Sequence, residues 1–248
     1  MPSMPKRLRI FAGPNGSGKT TIKKIVEGIV RLGTYVNADD IKVLLVKQRI
    51  LDLSSFGLSL RKDHFISSLK SSTWSERMDN VDNTISQLYF EGNRIRISDS
   101  YEPEDYFVSF LASYLWDELL ETSNKFTVET VMSHPSKLEF IKRAKEKGFK
   151  VYLYFVSLAD PALNKHRVKT RVLEGGHDVA PDRIEDRYYK TMTNLLSVLK
   201  LADNAYLFDN SKTEAKMFAV KKGNALEIQG DYIPTWFNKY ISDKLNNR

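Results

Sequence analysis

Leu8-Arg9-Ile10-Phe11-Ala12-Gly13-Pro14-Asn15-Gly16-Ser17-Gly18-Lys19-Thr20-Thr21 is the stretch that decides the architecture. Its first five residues form a short, mostly apolar run suited to a buried strand, and residues 13–20 match G-x-x-x-x-G-K-[ST] in full. Ile22, Ile25, Val26 and Ile29 then recur at helical spacing. Strand, glycine loop and helix in that order are what a phosphate-binding loop needs. Glycines allow consecutive backbone N–H groups to aim at phosphate oxygens, and the helix N-terminus adds its partial positive charge. On this reading Gly13 to Thr21 form the nucleotide cradle, Lys19 reaches the β- and γ-phosphates, and the Thr20 hydroxyl ligates Mg²⁺.

Working outward, Gly33 stops the first helix and Thr34-Tyr35-Val36 is rich in strand formers. Asn37-Ala38-Asp39-Asp40 reads as a strand exit into a helix cap. From about Ile41 to Arg96 the character changes to Leu/Val/Lys helical stretches, read here as a mainly helical insertion. Apolar residues at 107, 110, 111, 114, 115 and 119 then predict a helix over 106–120. Phe126–Val131 reads as a buried strand, 136–147 as a helix opened by Pro135, and Lys150–Val156 as a core strand. Basic helices over 161–174 and 182–201 flank Gly175-Gly176, and Ala205–Phe208 is a last core strand. A hairpin (217–220 and 225–228) and a short helix near 236–245 end the chain. Strands alternating with helices imply a largely parallel sheet covered on both faces.

Composition narrows the function. The 248 residues contain no cysteine and four scattered histidines, which removes disulfides, thiolate nucleophiles and Cys-ligated zinc. No apolar run reaches the ~18 residues of a membrane span, and the first residues lack a signal peptide's apolar stretch, so a cytoplasmic protein without a membrane partner is expected. The net charge of +7 favours anionic partners without choosing among nucleotides, phosphosugars and nucleic acid. Basic and aromatic residues are not interleaved along the chain as in a single-strand stacking platform, so nucleic acid is not the expected partner.

Phosphate loops serve switches, motors and kinases, and the remaining signatures arbitrate. No aspartate starts the D-x-x-G of a GTPase, and Asn164-Lys165-His166-Arg167 fails N-K-x-D. A Ser-Gly-Gly-Gln-type signature and an apolar strand ending in Asp-Glu are absent too. A small-molecule kinase needs a carboxylate near the γ-phosphate and arginines on a lid. Asp39, just past the second strand, suits a base that takes the acceptor proton, or with Asp40 it caps the next helix. Arg167 with Arg171, and Arg183 with Arg187, share helix faces on either side of Gly175-Gly176, as a lid or as ordinary solvated faces; His177 beside them reads as structural. Glu129 interrupts an apolar strand and invites a polar partner such as an acceptor hydroxyl.

Taken together, Gly13–Thr21, Val36-Asn37-Ala38-Asp39, Phe126–Ser133, Arg171–Val179 and Phe208-Asp209-Asn210-Ser211 resemble the zeta toxin-like P-loop kinases. The closer resemblance is to the bacterial branch often labelled predicted ABC-type ATPase. The resemblance covers 8–40 and about 99–212. It implies a kinase-like α/β fold of one domain over 1–248, with its core in 6–40 and 99–212, a helical insertion at about 41–98 and a C-terminal appendix at 213–248. It also implies that Lys19 binds ATP (or GTP) phosphates with Mg²⁺ and that Asp39 activates the acceptor. Glu129 would line the acceptor pocket, and Arg171 and Arg187 would contact phosphate from the lid. Well-understood zeta toxins phosphorylate the 3′-hydroxyl of UDP-N-acetylglucosamine and are held inactive by a small antitoxin, so an acceptor of that class and such a partner are expected. Alternatives from the residues alone are a polynucleotide or nucleoside kinase and a nucleotide-binding regulatory module with negligible turnover. The lid spacing around Gly-Gly-His-Asp and the residues Thr130 and Val131 depart from the family pattern.

Overall fold

The computed structural model describes residues 5–176 and 178–246; His177 lies outside the described residues. Seven strands form the main sheet in the order β10-β9-β8-β7-β1-β6-β2. They are β1 (Arg7–Ala12), β2 (Thr34–Asn37), β6 (Lys125–Thr130), β7 (Lys150–Ser157), β8 (Asn204–Asp209), β9 (Lys216–Lys222) and β10 (Ala225–Ile228). The pairs β1/β7 and β7/β8 are parallel, whereas β8/β9 and β9/β10 are antiparallel. The expected mostly parallel α/β sheet is therefore present. Within β1, Ile10 and Phe11 point to opposite faces and are both essentially inaccessible, so both faces are covered.

Contacts divide the chain into two compact units, Met1–Leu32 with Glu129–Arg248, and Gly33–Val128. In the first, α1 (Lys19–Glu27) lays Ile22 and Val26 on Phe11, Tyr154 and Val156. The rings of Phe11, Tyr154 and Tyr206 stack across neighbouring strands at 4.8 and 5.1 Å. That spacing is the distance between strands, so the rings stand side by side like rungs. Elsewhere in this unit Trp236 of the C-terminal appendix packs on Phe155 and Phe218, which makes the appendix part of the core. Helices α6 (Ser136–Glu146), α7 (Pro161–Leu173) and α8 (Pro181–Leu201) complete the unit. The Tyr188 hydroxyl of α8 donates to Leu158 O at 3.0 Å, and burial pushes this phenol's pKa up, which keeps it a donor.

The second unit contains α2 (Ala38–Gln48), α3 (Lys62–Ser71), α4 (Val81–Ser86) and α5 (Asp105–Thr122). Each of the six α5 positions picked out by helical spacing is buried. The stretch 41–98 is mostly helical as expected, but it also holds a three-stranded antiparallel sheet that the helical reading passed over: β3 (Ile50–Asp52), β4 (Leu88–Glu91) and β5 (Arg94–Ile97), in the order β3-β5-β4. Register pairs Glu91 with Arg94 across a Gly92-Asn93 turn, and Gly92 supplies the positive φ that such a tight turn demands. In the same unit the buried Glu118 accepts from Arg61 Nη2 at 3.0 Å and lies 3.1 Å from His64 Nε2. Beside them burial, with the Glu118 charge, pushes the Tyr114 phenol up to about 12. No helix among the described residues is long and apolar enough to cross a membrane.

At the start of β7 and β8, Asp203 accepts from Lys145 Nζ at 2.7 Å and from the Val151 N–H at 2.8 Å. Partial burial opposes its ionisation, but these hydrogen bonds outweigh burial and hold its pKa below the ordinary carboxylate value. A carboxylate whose pKa is depressed on folding adds stability above its unfolded pKa and loses it as pH falls through the folded value. Asp203→Asn should therefore cost about 1–2 kcal/mol near neutral pH, because the site is only partly buried. The gap to the parent should narrow as pH falls below the ordinary aspartate pKa of about 3.9 and through the depressed folded value, measured by urea denaturation at each pH.

Candidate functional site

The glycine loop leaves β1 at Gly13, whose φ of +149° is open to glycine and whose absent Cβ would stand 2.0 Å from Val156 O. The loop enters α1 at Gly18, the N-cap, with φ +96°; a Cβ there would meet Asn210 Nδ2 at 2.3 Å. Neither position tolerates a side chain, so two glycines of the motif are demanded by packing as well as by backbone angle.

The loop's carbonyls are engaged by groups behind it. Asn164 Nδ2, from α7, donates to Asn15 O at 2.5 Å, and Asn210 Nδ2, just past β8, donates to Ser17 O at 2.8 Å. Gly18 O accepts from the Thr21 and Ile22 N–H groups. A trans peptide points its N–H opposite to its C=O, so holding Asn15 O and Ser17 O outward turns the Gly16 and Gly18 N–H groups inward. Lys19 is buried, with Nζ 3.1 Å from both Gly13 O and Pro14 O. The Ser17 hydroxyl is fully buried in the loop with no hydrogen-bond partner among the described residues, while Thr20 and Thr21 are exposed at the start of α1. Two inward N–H groups and one ammonium make a set of donors that suits an anion with several oxygens.

Helix α7 lies directly against the loop: a Cβ on Gly16 would touch Asn164 O at 2.9 Å, Val168 Cγ2 at 3.1 Å and Arg167 Cβ at 3.5 Å. Asn164, Arg167, Val168 and Arg171 follow one another at helical spacing and share this stripe. Arg167 Nη2 donates to Asn210 O at 2.7 Å and to Lys212 O at 3.3 Å. Arg171 is half-buried one turn further along, where Gly176 N–H bonds its carbonyl. Arg187, on α8, is also half-buried, and Arg183 is exposed. Val168, Val172, Val179 and Ile184 pack between α7 and α8, and Lys165 pairs with Glu185. The two basic helices are therefore clasped as a hairpin by a small apolar cluster.

Glu129 is buried near the end of β6, as its place in an apolar strand predicts, and it has interaction partners in the structure. The next residues bend sharply: Met132 has φ +63°, and its carbonyl accepts from Asn194 Nδ2 at 3.1 Å while Val131 O accepts from Thr191 Oγ1. In the second unit, Asp39 occupies the first turn of α2. The capping role considered for Asp39 and Asp40 belongs to Asn37, whose side chain accepts from the Asp39 N–H at 3.1 Å. That leaves the Asp39 carboxylate exposed at the helix start. No cluster of His, Cys, Asp and Glu suited to hold a metal occurs among the described residues, so the fit for Mg²⁺ rests on the Thr20 hydroxyl beside the donor cradle. Sequence reasoning did not assign Asn164, Asn210 or Arg167 to the loop. Asn164 entered it only as part of a failed GTPase motif, and no periodicity marks a polar side chain that bonds a distant carbonyl.

Comparison with known proteins matches residues 90–223, just over half of the chain, to the zeta toxin family. An uncharacterized protein of Haemophilus influenzae (strain ATCC 51907 / DSM 11121 / KW20 / Rd) is 38% identical over 63 residues, which are 25% of this chain and 45% of that protein. Among solved structures, the complex of AvrRxo1-ORF1 with AvrRxo1-ORF2 and sulphate ions is similar at a TM-score of 0.55 and 18% identity. That alignment covers 92% of this chain and 62% of the other. The same complex with ATP gives 0.53 and 18%, over 92% and 61%. The chain thus spans less than two thirds of the length of these relatives. At such identity the structures speak for the fold alone, and they agree with the mostly parallel sheet described above. With the family match running from β4 through β9, this chain belongs to the zeta toxin family.

Proposed function

We propose that the protein is a cytoplasmic ATP- and Mg²⁺-dependent kinase that transfers the γ-phosphoryl group to a hydroxyl of a small molecule, with GTP as an alternative donor. The observation that carries this reading is the loop of Gly13–Thr21, whose Asn15 and Ser17 carbonyls are held from behind so that the Gly16 and Gly18 N–H groups turn inward, beside the buried Lys19. The ATP complex of the structurally similar AvrRxo1 protein supports the choice of nucleotide.

In this mechanism Lys19 and the loop amides hold the β- and γ-phosphates, and the Thr20 hydroxyl would ligate Mg²⁺, which supplies charge neutralisation on the phosphates. Asp39 accepts the acceptor's hydroxyl proton as the new O–P bond forms and the bond from the γ-phosphorus to the bridging oxygen breaks, leaving ADP. Arg171 and Arg187 balance the charge on the transferring group, and Glu129 orients the acceptor. Family membership supports a nucleotide sugar of the UDP-N-acetylglucosamine type as that acceptor. It also supports a toxin role with a small antitoxin partner; the AvrRxo1 protein is itself seen with a second chain.

Incubating the protein with labelled ATP and a metabolite extract tests the whole reading, because it shows whether phosphate moves and onto what. No transfer to any acceptor would leave a regulatory module; transfer to nucleic acid ends would make it a polynucleotide kinase. Lys19→Ala should abolish transfer and remove ATP-dependent thermal stabilisation while the unliganded melting temperature holds. Asp39→Asn should lower kcat by at least about a hundredfold with ATP affinity kept, and Asp40→Asn far less. If the two aspartates trade places in that assay, Asp39 is not the base. Arg171→Ala and Arg187→Ala should each lower kcat more than they raise the KM for ATP, with exposed Arg183→Ala as the neutral control. Near-parental kcat in both would remove the hairpin arginines from the chemistry.

A further inference from the structure

We infer that Asn164 and Asn210 are positioning residues that hold the phosphate loop in its receiving form, and that the C-terminal appendix acts on nucleotide affinity through Asp209. The inference rests on the nucleotide-binding reading of the loop but concerns groups outside the motif.

A loop that turns its amides inward must turn carbonyls outward, and each outward carbonyl in a buried place needs a donor. Main-chain donors serve other carbonyls of the loop: the Ser17 N–H bonds Pro14 O, and the Thr21 and Ile22 N–H groups bond Gly18 O. Side-chain amides on α7 and behind β8 supply the donors at Asn15 O and Ser17 O. Both asparagines are at least nine-tenths buried, and Asn164 is inaccessible. Without them two desolvated carbonyls would be left unpaired, and the cheapest relief is a peptide flip that spoils the cradle.

Asn210 is itself fixed on every side. Its N–H bonds Ser157 O at 2.9 Å, and its carbonyl accepts from Arg167. The preceding residue, Asp209, is 3% exposed. Its carboxylate accepts from Trp236 Nε1 at 2.9 Å, Tyr232 Oη at 3.0 Å and Ser211 Oγ at 2.7 Å, and Ser211 Oγ in turn accepts from the Ala159 N–H at 2.8 Å. Two of the groups that satisfy this buried carboxylate come from the appendix. A path of direct hydrogen bonds and one peptide unit therefore runs from Trp236 and Tyr232 through Asp209 and Asn210 to Ser17 of the loop.

The test measures ATP binding with Mg²⁺ by isothermal titration calorimetry on the full chain, where stoichiometry reports the folded fraction and Kd reports the cradle. Asn210→Asp keeps the shape and removes the donor, and Asn164→Ala removes the other; each should raise Kd about tenfold with stoichiometry unchanged. Asn164→Gln, which keeps an amide, should recover part of the loss. Trp236→Phe and Tyr232→Phe keep the rings, lose one bond to Asp209 each, and should raise Kd about two- to fivefold. A purely structural role would lower stoichiometry and leave Kd alone, and that result overturns the inference. So does parental Kd in these variants while Lys19→Ala loses binding. If Asn210→Asp does not fold, the Trp236 and Tyr232 variants decide by the same criteria. A parent chain that does not bind ATP at all would instead overturn the nucleotide reading on which the inference stands.

Discussion

Outward-facing carbonyls of the glycine loop are the constraint around which the first compact unit is arranged. Inward N–H groups are useful to a polyphosphate only if the opposite side of each peptide is satisfied. In this chain the donors come from elements far away in sequence, Asn164 on α7 and Asn210 after β8. The same pressure explains the glycines: Gly13 passes so near Val156 O, and Gly18 so near the Asn210 amide, that any Cβ would push the support away.

The supports are rigid because each is tied into packing. Helix α7 presses Val168 on the loop and shares an apolar cluster with Val179 and Ile184, which also joins it to α8. Behind β8, a buried carboxylate is acceptable only because hydrogen-bond donors surround it, and two of these belong to the appendix whose Trp236 sits between Phe155 and Phe218. An appendix that looks peripheral along the chain is thus continuous with the core and with the loop. Arg167 is a related case. Its place on a basic helix suggests a phosphate contact, yet in the structure its guanidinium braces the backbone of residues 210–212.

Much of the architecture was legible because its signals are local. A full glycine motif between a strand and a helix, the 3.6-residue rhythm of Phe107 to Leu119, and the apolar run of β7 each report on neighbours a few residues away. The small sheet in 41–98 was also signalled, by Arg94-Ile95-Arg96-Ile97 alternating after Gly92-Asn93. It went unread because its strands are three or four residues long and sit among helical stretches.

By itself the sequence determined that this is an α/β protein with a complete G-x-x-x-x-G-K-[ST] motif at the end of its first strand, and that the chain resembles zeta toxin-like kinases. Only the tertiary structure decided which side chains bond the loop's carbonyls, that Asn37 is the cap and leaves Asp39 exposed, and that Arg167 braces backbone. The division has a physical cause. Backbone angles and helical faces follow from residue type and short spacing, whereas a hydrogen bond between Asn210 and Ser17 joins groups 193 residues apart and exists only once the β8 and loop backbones have been brought together by packing.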